Sequence, residues 1–312
     1  MTLDKTDWVL VRELDKDVRI SLTQLAKKAR ISKEKAHYRL RRLEQSVITG
    51  YWAQQRIGNQ ANAYKVFLKD KSLGQRKDEL IAYIMSYKGA AWIAETEGRW
   101  DIVVSNYASS DTDFVLFFRE LLRRFGTLLR EKTITKMTGA VSLNEKYLHD
   151  ESFVRVSKDD FTREPPTYDE LDLIIMNALS RNARMPYTEL AKTAGVTSET
   201  VGNRVRKLLR NDDFVDLKLR VNHAALGLTY YHVLLSLEHY EMQETITQYY
   251  TQHPRCVYIM THLGAYDIHL ELVLPSLELP LFLTDLSERF GPSLSAYEVL
   301  RIVREHRMQI QY

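Results

Sequence analysis

Cysteine is nearly absent from this chain of 312 residues, which excludes a fold held together by disulfides. The single thiol, Cys256, cannot form an intramolecular disulfide, so we expect a reducing compartment. It lies in the apolar run C-V-Y-I-M, which predicts a buried structural thiol. No apolar run reaches the roughly 20 residues that a membrane-spanning helix needs. The opening M-T-L-D-K-T-D also lacks the apolar region of a signal peptide, so we expect a cytoplasmic protein without a membrane partner.

Motifs of several common enzyme classes are missing as well. The chain has no G-x-x-x-x-G-K phosphate loop, no nucleophile elbow and no dinucleotide-binding glycine motif. These absences favour a protein that is not an enzyme and needs no cofactor. The formal net charge is only +3, so any affinity for nucleic acid must come from local clusters of cations.

One such cluster lies between Ser21 and Glu44, where the pattern predicts two short helices joined by a tight turn. Apolar residues recur at helical spacing over 22–26 and again over 31–43, and Ser32 stands where the second helix needs an N-cap. With its apolar stripe buried, the second helix turns cations, an aromatic and a histidine outward. Such a helix suits the major groove of DNA. The alternative is a basic helix that only faces solvent.

The same pattern occurs a second time. The stretch R-I-S-L-T-Q-L-A from Arg19 returns as R-M-P-Y-T-E-L-A from Arg184, and the turn, the cap and the cationic face return with it. The buried triad of the first copy, Ala36, Leu40 and Leu43, returns as apolar residues at the matching positions. Internal repetition of this kind indicates a duplicated architecture.

The fold class predicted from this repeat is α+β. Each helix trio is followed by a segment that predicts a short hairpin, and the two together predict a winged helix-turn-helix domain. A β-α-β-β-α-β pattern, the ferredoxin-like order, comes next. The stretch between the copies has many charges, no clean periodicity and Pro165-Pro166, which indicates a linker. The predicted ranges are 1–58 and 168–226 for the two winged helix-turn-helix domains, 59–143 and 227–312 for the two ferredoxin-like domains, and 144–167 for the linker.

Several stretches together resemble the leucine-responsive/asparagine-synthase regulator (Lrp/AsnC) family of prokaryotic transcription factors. They are the opening L-D-K-T-D, the helix S-K-E-K-A-H-Y-R-L-R-R-L-E, the V-I-T-G-Y-W-A after it, and a G-x-[aromatic]-D loop in each copy. In that family the winged helix binds double-stranded DNA. The ferredoxin-like domain, called RAM, pairs through its sheet and binds amino acids or similar effectors near the loop. The chain looks like a tandem fusion of two protomers, and its RAM sheets are expected to pair either within one chain, as a pseudodimer, or between two chains.

The resemblance also implies the site residues. The expected DNA-binding residues are Ser32, Lys33, Lys35, His37, Tyr38, Arg39, Arg41 and Arg42 in the first copy, and Ser198, Thr200, Asn203, Arg204, Arg206 and Lys207 in the second. The second face is less cationic, and the G-Y after its helix is missing, so we expect weaker or different DNA binding there. The expected effector-binding residues are Gly98, Arg99, Trp100 and Asp101 together with Gly264, Ala265, Tyr266 and Asp267. The alternative for these loops is a plain turn capped by the aspartate.

Two other functions stay open at this point. Siroheme decarboxylases of haem biosynthesis share the domain plan, but only the histidines near T-H-L-G-A-Y-D-I-H-L are similar to theirs. A protein that senses an effector or assembles without binding DNA is the third possibility. His232, His262 and His269 gather in the second sheet, yet no tight ligand spacing accompanies them. We therefore predict satisfied or surface histidines and no metal site.

Overall fold

The computed structural model describes residues 3–55, 62–71, 76–149, 155–161, 167–210 and 215–308. The chain forms two compact units, and each combines parts of both sequence copies. The first, the head unit, takes in the described residues within 1–56, 143–157 and 166–228. The second, the sheet unit, takes in those within 57–142, 158–165 and 229–312.

The elements follow the predicted order twice. In chain order they are α1 (Lys5–Lys16), α2 (Leu22–Ala29), α3 (Lys33–Glu44), β1 (Ile48–Gln55), β2 (Asn62–Asp70), α4 (Lys77–Ser86), β3 (Ala90–Glu97), β4 (Ile102–Ala108), α5 (Asp111–Phe125), β5 (Leu129–Leu143), β6 (Val156–Asp160), α6 (Glu170–Arg181), α7 (Tyr187–Ala194), α8 (Ser198–Arg210), β7 (Val215–Val221), β8 (Thr229–Leu237), α9 (Gln243–Gln252), β9 (Cys256–Leu263), β10 (Ile268–Leu274), α10 (Leu279–Phe290) and β11 (Leu294–Met308). The α+β prediction is confirmed. None of these helices is long and apolar enough to cross a membrane.

The helices of the head unit begin where the sequence supplies caps. Asp4 and Asp7 form a capping box at the start of α1, and Asp169 repeats the arrangement at α6. The Ser32 hydroxyl accepts a hydrogen bond from the Lys35 backbone N–H at 3.2 Å, which confirms the predicted cap of α3. The first head (α1–α3) and the second head (α6–α8) share one hydrophobic core, in which residues such as Leu43 and Leu208 belong to the same cluster.

The strand after each helix trio does not fold as the sequence predicted. The pattern indicated a hairpin within each head, but β1 pairs antiparallel with β7, the corresponding strand of the other head. Tyr51 stands opposite Leu219, and Ala53 opposite Leu217. The reason is that Ala53, Leu217 and Leu219 turn their side chains into the shared core, which a strand paired only within its own head would leave uncovered. The end of the predicted first strand, at Ile57, lies outside the described residues.

In the sheet unit, both ferredoxin-like modules contribute to one hydrogen-bonded ring. Its strand order is β2-β4-β3-β11-β8-β10-β9-β5, and β5 pairs with β2 again. The long last strand of each module makes the connection, because β11 pairs with both β8 and β3 while β5 pairs with both β2 and β9. The two modules therefore pair within one chain. Cys256 lies fully buried in β9, as predicted.

The predicted linker is more ordered than its composition indicated. Part of it forms β6, an additional strand beside β5. In the head unit, His149 Nε2 lies 2.7 Å from an Asp15 carboxylate oxygen, and Arg12 Nε donates to the Leu148 carbonyl at 2.6 Å. These contacts join residues more than 130 positions apart, so no local pattern could reveal them. Pro165 and Pro166 lie outside the described residues.

Candidate nucleic-acid interface and a buried polar cluster

Helix α3 presents much of the face that the sequence predicted. Ala36, Leu40 and Leu43 are buried, so the helix is anchored through one narrow side. The residues on its other side are exposed, and Tyr38 has 70% of its surface accessible. The exposed members of the predicted DNA-binding set are Ser32, Lys33, Lys35, His37, Tyr38 and Arg41. This side can present ammonium, guanidinium and aromatic groups to a ligand.

Arg39 and Arg42 differ from these exposed residues because both point toward α1. Arg39 donates to Asp4 at 2.7 Å and to Asp7 at 2.9 Å, and Arg42 donates to Asp7 at 2.6 Å. The pKa of Asp4 is lowered, first by the backbone N–H of Asp7 and then by Arg39. In the free protein the partners of this pair are carboxylates of the same head, and their role in DNA binding stays a prediction.

The second recognition helix, α8, also has both exposed residues and an arginine that is paired with carboxylates of its own head. Arg204, at the position of Arg39, contacts Asp169 at 2.6 Å and Asp172 at 3.2 Å. Arg206 donates to the Asn203 side chain at 2.6 Å and to the Gly202 carbonyl at 3.1 Å, so its guanidinium lies along the helix.

Four side chains of α8 line an open groove. They are Asn203, Arg206, Lys207 and Arg210, and the groove has a volume of about 310 Å³. Arg210 was not predicted, although it follows Arg206 at the helical spacing of four residues that places two side chains on one face. Ser198 and Thr200 lie in the first turn of α8, where both are half-buried.

Two arginines hold the heads together by reciprocal contacts. Arg19 of the first head donates to the backbone carbonyls of Ala183 and Met185, at 2.5 and 2.9 Å. Arg184 of the second head donates to the carbonyls of Val18 and Ile20. Each guanidinium also lies over a tyrosine ring of the opposite head. These contacts, with the β1–β7 ladder, determine how the two recognition helices are placed within the head unit.

The carboxylates of the two G-x-x-D loops are occupied by their own modules. Asp101 accepts from the Asp70 backbone N–H at 2.7 Å and from Lys69 Nζ at 2.8 Å. Asp267 accepts from the Leu237 backbone N–H, also at 2.7 Å. These contacts are the ones expected of a capped turn.

The glycines of both loops adopt a backbone conformation that side chains rarely reach, with φ of 135° at Gly98 and 134° at Gly264. A Cβ at Gly98 would lie 2.6 Å from the Val299 carbonyl oxygen of the other module. The aromatic residues of the loops meet between the modules, since Trp100 Nε1 donates to the Tyr266 hydroxyl at 2.8 Å. That hydroxyl donates to Glu298 at 2.7 Å. Arg99 and Ala265 remain exposed at the rim.

None of the three histidines that the sequence singled out lies on the surface, and two of them have no hydrogen-bond partner among the described residues, which corrects the prediction. His232, His262 and His269 are each at most 1% exposed and point into the interior of the sheet unit. Within the described residues, neither ring nitrogen of His232 or His269 makes a hydrogen bond. His262 Nδ1 lies 3.0 Å from the Thr135 hydroxyl. Burial lowers the pKa of His262 to about 3, and lowers the pKa of the other two well below the usual value.

A lysine that the sequence analysis did not single out lies beside these histidines. Lys65 of β2 is 1% exposed, and its Nζ donates to the Ser105 hydroxyl at 2.9 Å. The same nitrogen lies 3.9 Å from a Glu271 carboxylate oxygen and 4.5 Å from the centre of the Trp92 ring. Burial lowers the pKa of Lys65 to about 8, against the opposite effect of Glu271. The only signal in the sequence was a lysine within an apolar strand, Y-K-V-F-L.

Comparison with known proteins places the heads in a described domain family. The AsnC-type helix-turn-helix domain matches residues 3–44 and 169–209. An uncharacterised HTH-type transcriptional regulator of Pyrococcus furiosus is 27% identical over 125 residues, which cover 39% of this chain and 83% of that protein. The HTH-type transcriptional regulator LrpA of Pyrococcus horikoshii is 39% identical over 59 residues, which cover 19% of this chain and 42% of that one.

A solved structure is similar over almost the whole length. The siroheme decarboxylase NirDL aligns with a TM-score of 0.64 over 99% of this chain and 94% of that one, at 13% sequence identity. At this level of identity the likeness concerns the fold, and it agrees with the paired two-module arrangement described above.

Proposed function

We propose that this chain is a tandem protein of the Lrp/AsnC type, a DNA-binding transcriptional regulator that acts as a pseudodimer. The two matches to the AsnC-type helix-turn-helix domain and the similarity to HTH-type transcriptional regulators support the proposal. The observation that carries the proposal is the exposed cationic face of α3, which recurs in weaker form on α8. Cations such as Lys35 and Arg41 supply contacts to phosphates, while Tyr38 and His37 are placed to reach base edges.

The joining of two unlike heads predicts how the operator is organised. In a homodimer both half-sites are read by the same residues, so the operator is palindromic. Here α3 offers Lys35 where α8 offers Thr200, and Tyr38 where α8 offers Asn203. The operator is therefore expected to have two different half-sites, at a spacing determined by the pairing of the heads.

Selection of bound fragments from genomic DNA, followed by anisotropy titrations on the recovered duplex, tests the proposal. The logarithm of the affinity should fall with the logarithm of the salt concentration by about 0.9 for each phosphate that the protein neutralises. A flat salt response, or no recovered sequence, would contradict it and favour the protein that senses or assembles without binding DNA.

Substitutions in the two heads separate their contributions. Lys35→Ala with Arg41→Ala should remove most of the affinity, whereas Arg206→Ala with Lys207→Ala should reduce the affinity less and change only one half-site. Arg123→Ala, which removes an exposed cation paired with Glu120 in the sheet unit, is the control and should leave binding unchanged. Equal effects of the two head variants would contradict the asymmetry.

We also propose that an amino-acid-like effector regulates DNA binding. The carboxylates of both G-x-x-D loops are engaged by backbone N–H groups, and Arg99 donates to Glu298 at 2.5 Å. An effector would therefore use the backbone around Ala265 and would have to displace Glu298 from Arg99. A panel of amino acids in thermal-shift and DNA-binding assays tests it. Absence of any shift across the panel would remove this part and leave the DNA-binding proposal unaffected.

A siroheme decarboxylase-like enzyme is the competing candidate, and the buried group of Lys65, His232, His262, His269 and Glu271 is the observation that favours it. Against it stands the burial of the lysine and the three histidines, which keeps them from a large external substrate. Incubation with siroheme under reducing conditions distinguishes the two functions, because the enzyme would release carbon dioxide and a regulator would not. We propose that the chain has no such activity.

A further inference from the structure

Strand register brings three possible metal ligands to one place inside the sheet unit. His232 of β8 stands directly opposite Glu271 of β10 in their antiparallel ladder. His269 precedes Glu271 by two residues on the same strand, so both side chains lie on the same face. The ring centres of His232 and His269 are 4.4 Å apart.

The donor atoms of these residues are close enough to share one ion. One ligand atom from each of the three residues lies within 4.8 Å of the other two. His232 Nε2 is 3.6 Å from a Glu271 carboxylate oxygen, which is longer than a hydrogen bond. The imidazoles are fully buried, and their nitrogens make no hydrogen bond with any described residue. Burying a polar atom that has no hydrogen-bond partner costs free energy. Two buried imidazoles without such partners therefore indicate that a ligand of their nitrogens is missing.

We propose that His232, His269 and Glu271 bind a divalent transition-metal ion, with Zn²⁺ as the reference ion. Two imidazole nitrogens and one carboxylate oxygen form a donor set that suits Zn²⁺ and related ions of the first transition series. Three protein ligands leave one position of a tetrahedral ion for a small molecule. The proposal concerns the sheet unit only, and it does not depend on DNA binding.

The first module acts as an internal control for the site. In its ladder, Lys65 stands opposite Ser105, and this pair corresponds to His232 and Glu271 of the second module. Phe67 stands opposite Val103, and this pair corresponds to Leu234 and His269. The positions equivalent to the three ligands are therefore Lys65, Val103 and Ser105, a set without an imidazole or a carboxylate. One ion per chain is expected.

Lys65 opposes the ion by its charge. Its ammonium nitrogen lies 3.9 Å from the carboxylate oxygen that the metal would use. A cation at that distance weakens metal binding, because like charges repel strongly in a buried site. Replacing Lys65 by methionine, an apolar side chain of similar length, should therefore tighten metal binding.

The test uses the full chain without an affinity tag, freed of metal by dialysis against a chelator. Zn²⁺ binding is measured by calorimetry, and Co²⁺ is added as a spectroscopic probe of ligand number. The wild-type protein should bind one ion. His269→Gln and Glu271→Gln should each weaken binding by at least about 100-fold, and Lys65→Met should strengthen it by about tenfold or more.

Two control variants decide whether the site is specific. His262→Gln removes a buried histidine outside the proposed ligand set, and His239→Gln removes an exposed one that lies near Glu241. Both should retain binding. Three results would overturn the proposal. They are a wild-type protein that binds no stoichiometric ion, binding that survives in both His269→Gln and Glu271→Gln, and binding that is lost in His239→Gln. Lys65→Met is expected to bind the metal more tightly than the wild-type protein. This variant therefore keeps the test decisive if a ligand variant fails to fold.

Discussion

Neighbouring arginines of α3 have different surroundings, although the sequence presents them as one cationic face. Arg41 is exposed, while Arg39 is held by Asp4 and Asp7 of α1. A group that faces solvent can contact a phosphate without first leaving a carboxylate. Its contribution to DNA binding should therefore exceed that of a guanidinium already paired within the head.

We predict that Arg41→Ala lowers DNA affinity and reduces the slope of log affinity against log salt by about 0.9, the contribution of one phosphate. Arg39→Ala should leave that slope unchanged and lower the free energy of unfolding by on the order of 1 kcal/mol. Anisotropy titrations at several salt concentrations and urea unfolding measure the two effects. A reduced slope in Arg39→Ala would show that this arginine leaves its carboxylates on binding DNA.

The buried histidines predict how the sheet unit responds to acid. The pKa of His262 falls from 6.5 to about 3 on burial, so below about pH 6.5 the unfolded chain binds a proton that the folded chain excludes. Its contribution to stability is complete above pH 6.5 and is lost as the pH falls toward 3. Each such proton changes the free energy of unfolding by about 1.4 kcal/mol per pH unit.

We therefore predict that the free energy of unfolding depends less steeply on pH in His262→Gln than in the wild-type protein. Between about pH 6 and about pH 4 the slope should be smaller by the contribution of about one proton. Urea unfolding at a series of pH values gives the slope for the variant and for the wild-type protein. His239→Gln, which removes an exposed histidine, should leave the slope unchanged. An unchanged slope in His262→Gln would mean that this imidazole is protonated in the folded state.

At the scale of elements, the joined heads depend on contacts that cross the two copies. The β1–β7 ladder and the reciprocal arginines replace the hairpin that each copy was predicted to form alone. Arg184 satisfies carbonyls of Val18 and Ile20, which are both buried. Removing it leaves those acceptors with fewer partners and loosens the placement of α3 relative to α8 within the head unit.

We predict that Arg184→Ala lowers the free energy of unfolding by about 1–3 kcal/mol, the range for a buried polar group that loses its partner. It should also lower affinity for a two-half-site operator more than for an isolated half-site. Arg181→Ala, an exposed arginine in the last turn of α6, is the matched control. Equal losses on both DNA substrates would show that the contact stabilises the heads without setting their spacing.

At the scale of the whole molecule, pairing within one chain predicts the stoichiometry of the DNA complex. The sheet unit closes its hydrogen-bonded ring with strands of both modules, and the head unit supplies two recognition helices. A single chain therefore contains what two protomers of a dimer would provide. We predict one chain per two-half-site operator, measured by titration at DNA concentrations far above the dissociation constant and by sedimentation of the complex. Two chains per operator would favour pairing between chains.

The sequence by itself determined the duplication, the order of elements and the caps, because these depend on residues a few positions apart. Ser32 indicated the start of α3, and the spacing of Leu40 and Leu43 indicated which side of that helix is buried. The class of the heads followed from the same local patterns.

Only the tertiary structure decided which groups meet across the chain. Nothing near Arg39 in sequence shows that Asp4 and Asp7 hold it, and nothing near β1 shows that β7 is its partner. Lys65 and Glu271 are about two hundred residues apart, yet the ring of strands places them side by side. Burial and pairing depend on the whole fold. They decide which cations remain exposed and which imidazoles make no hydrogen bond within the part of the chain that the structure describes.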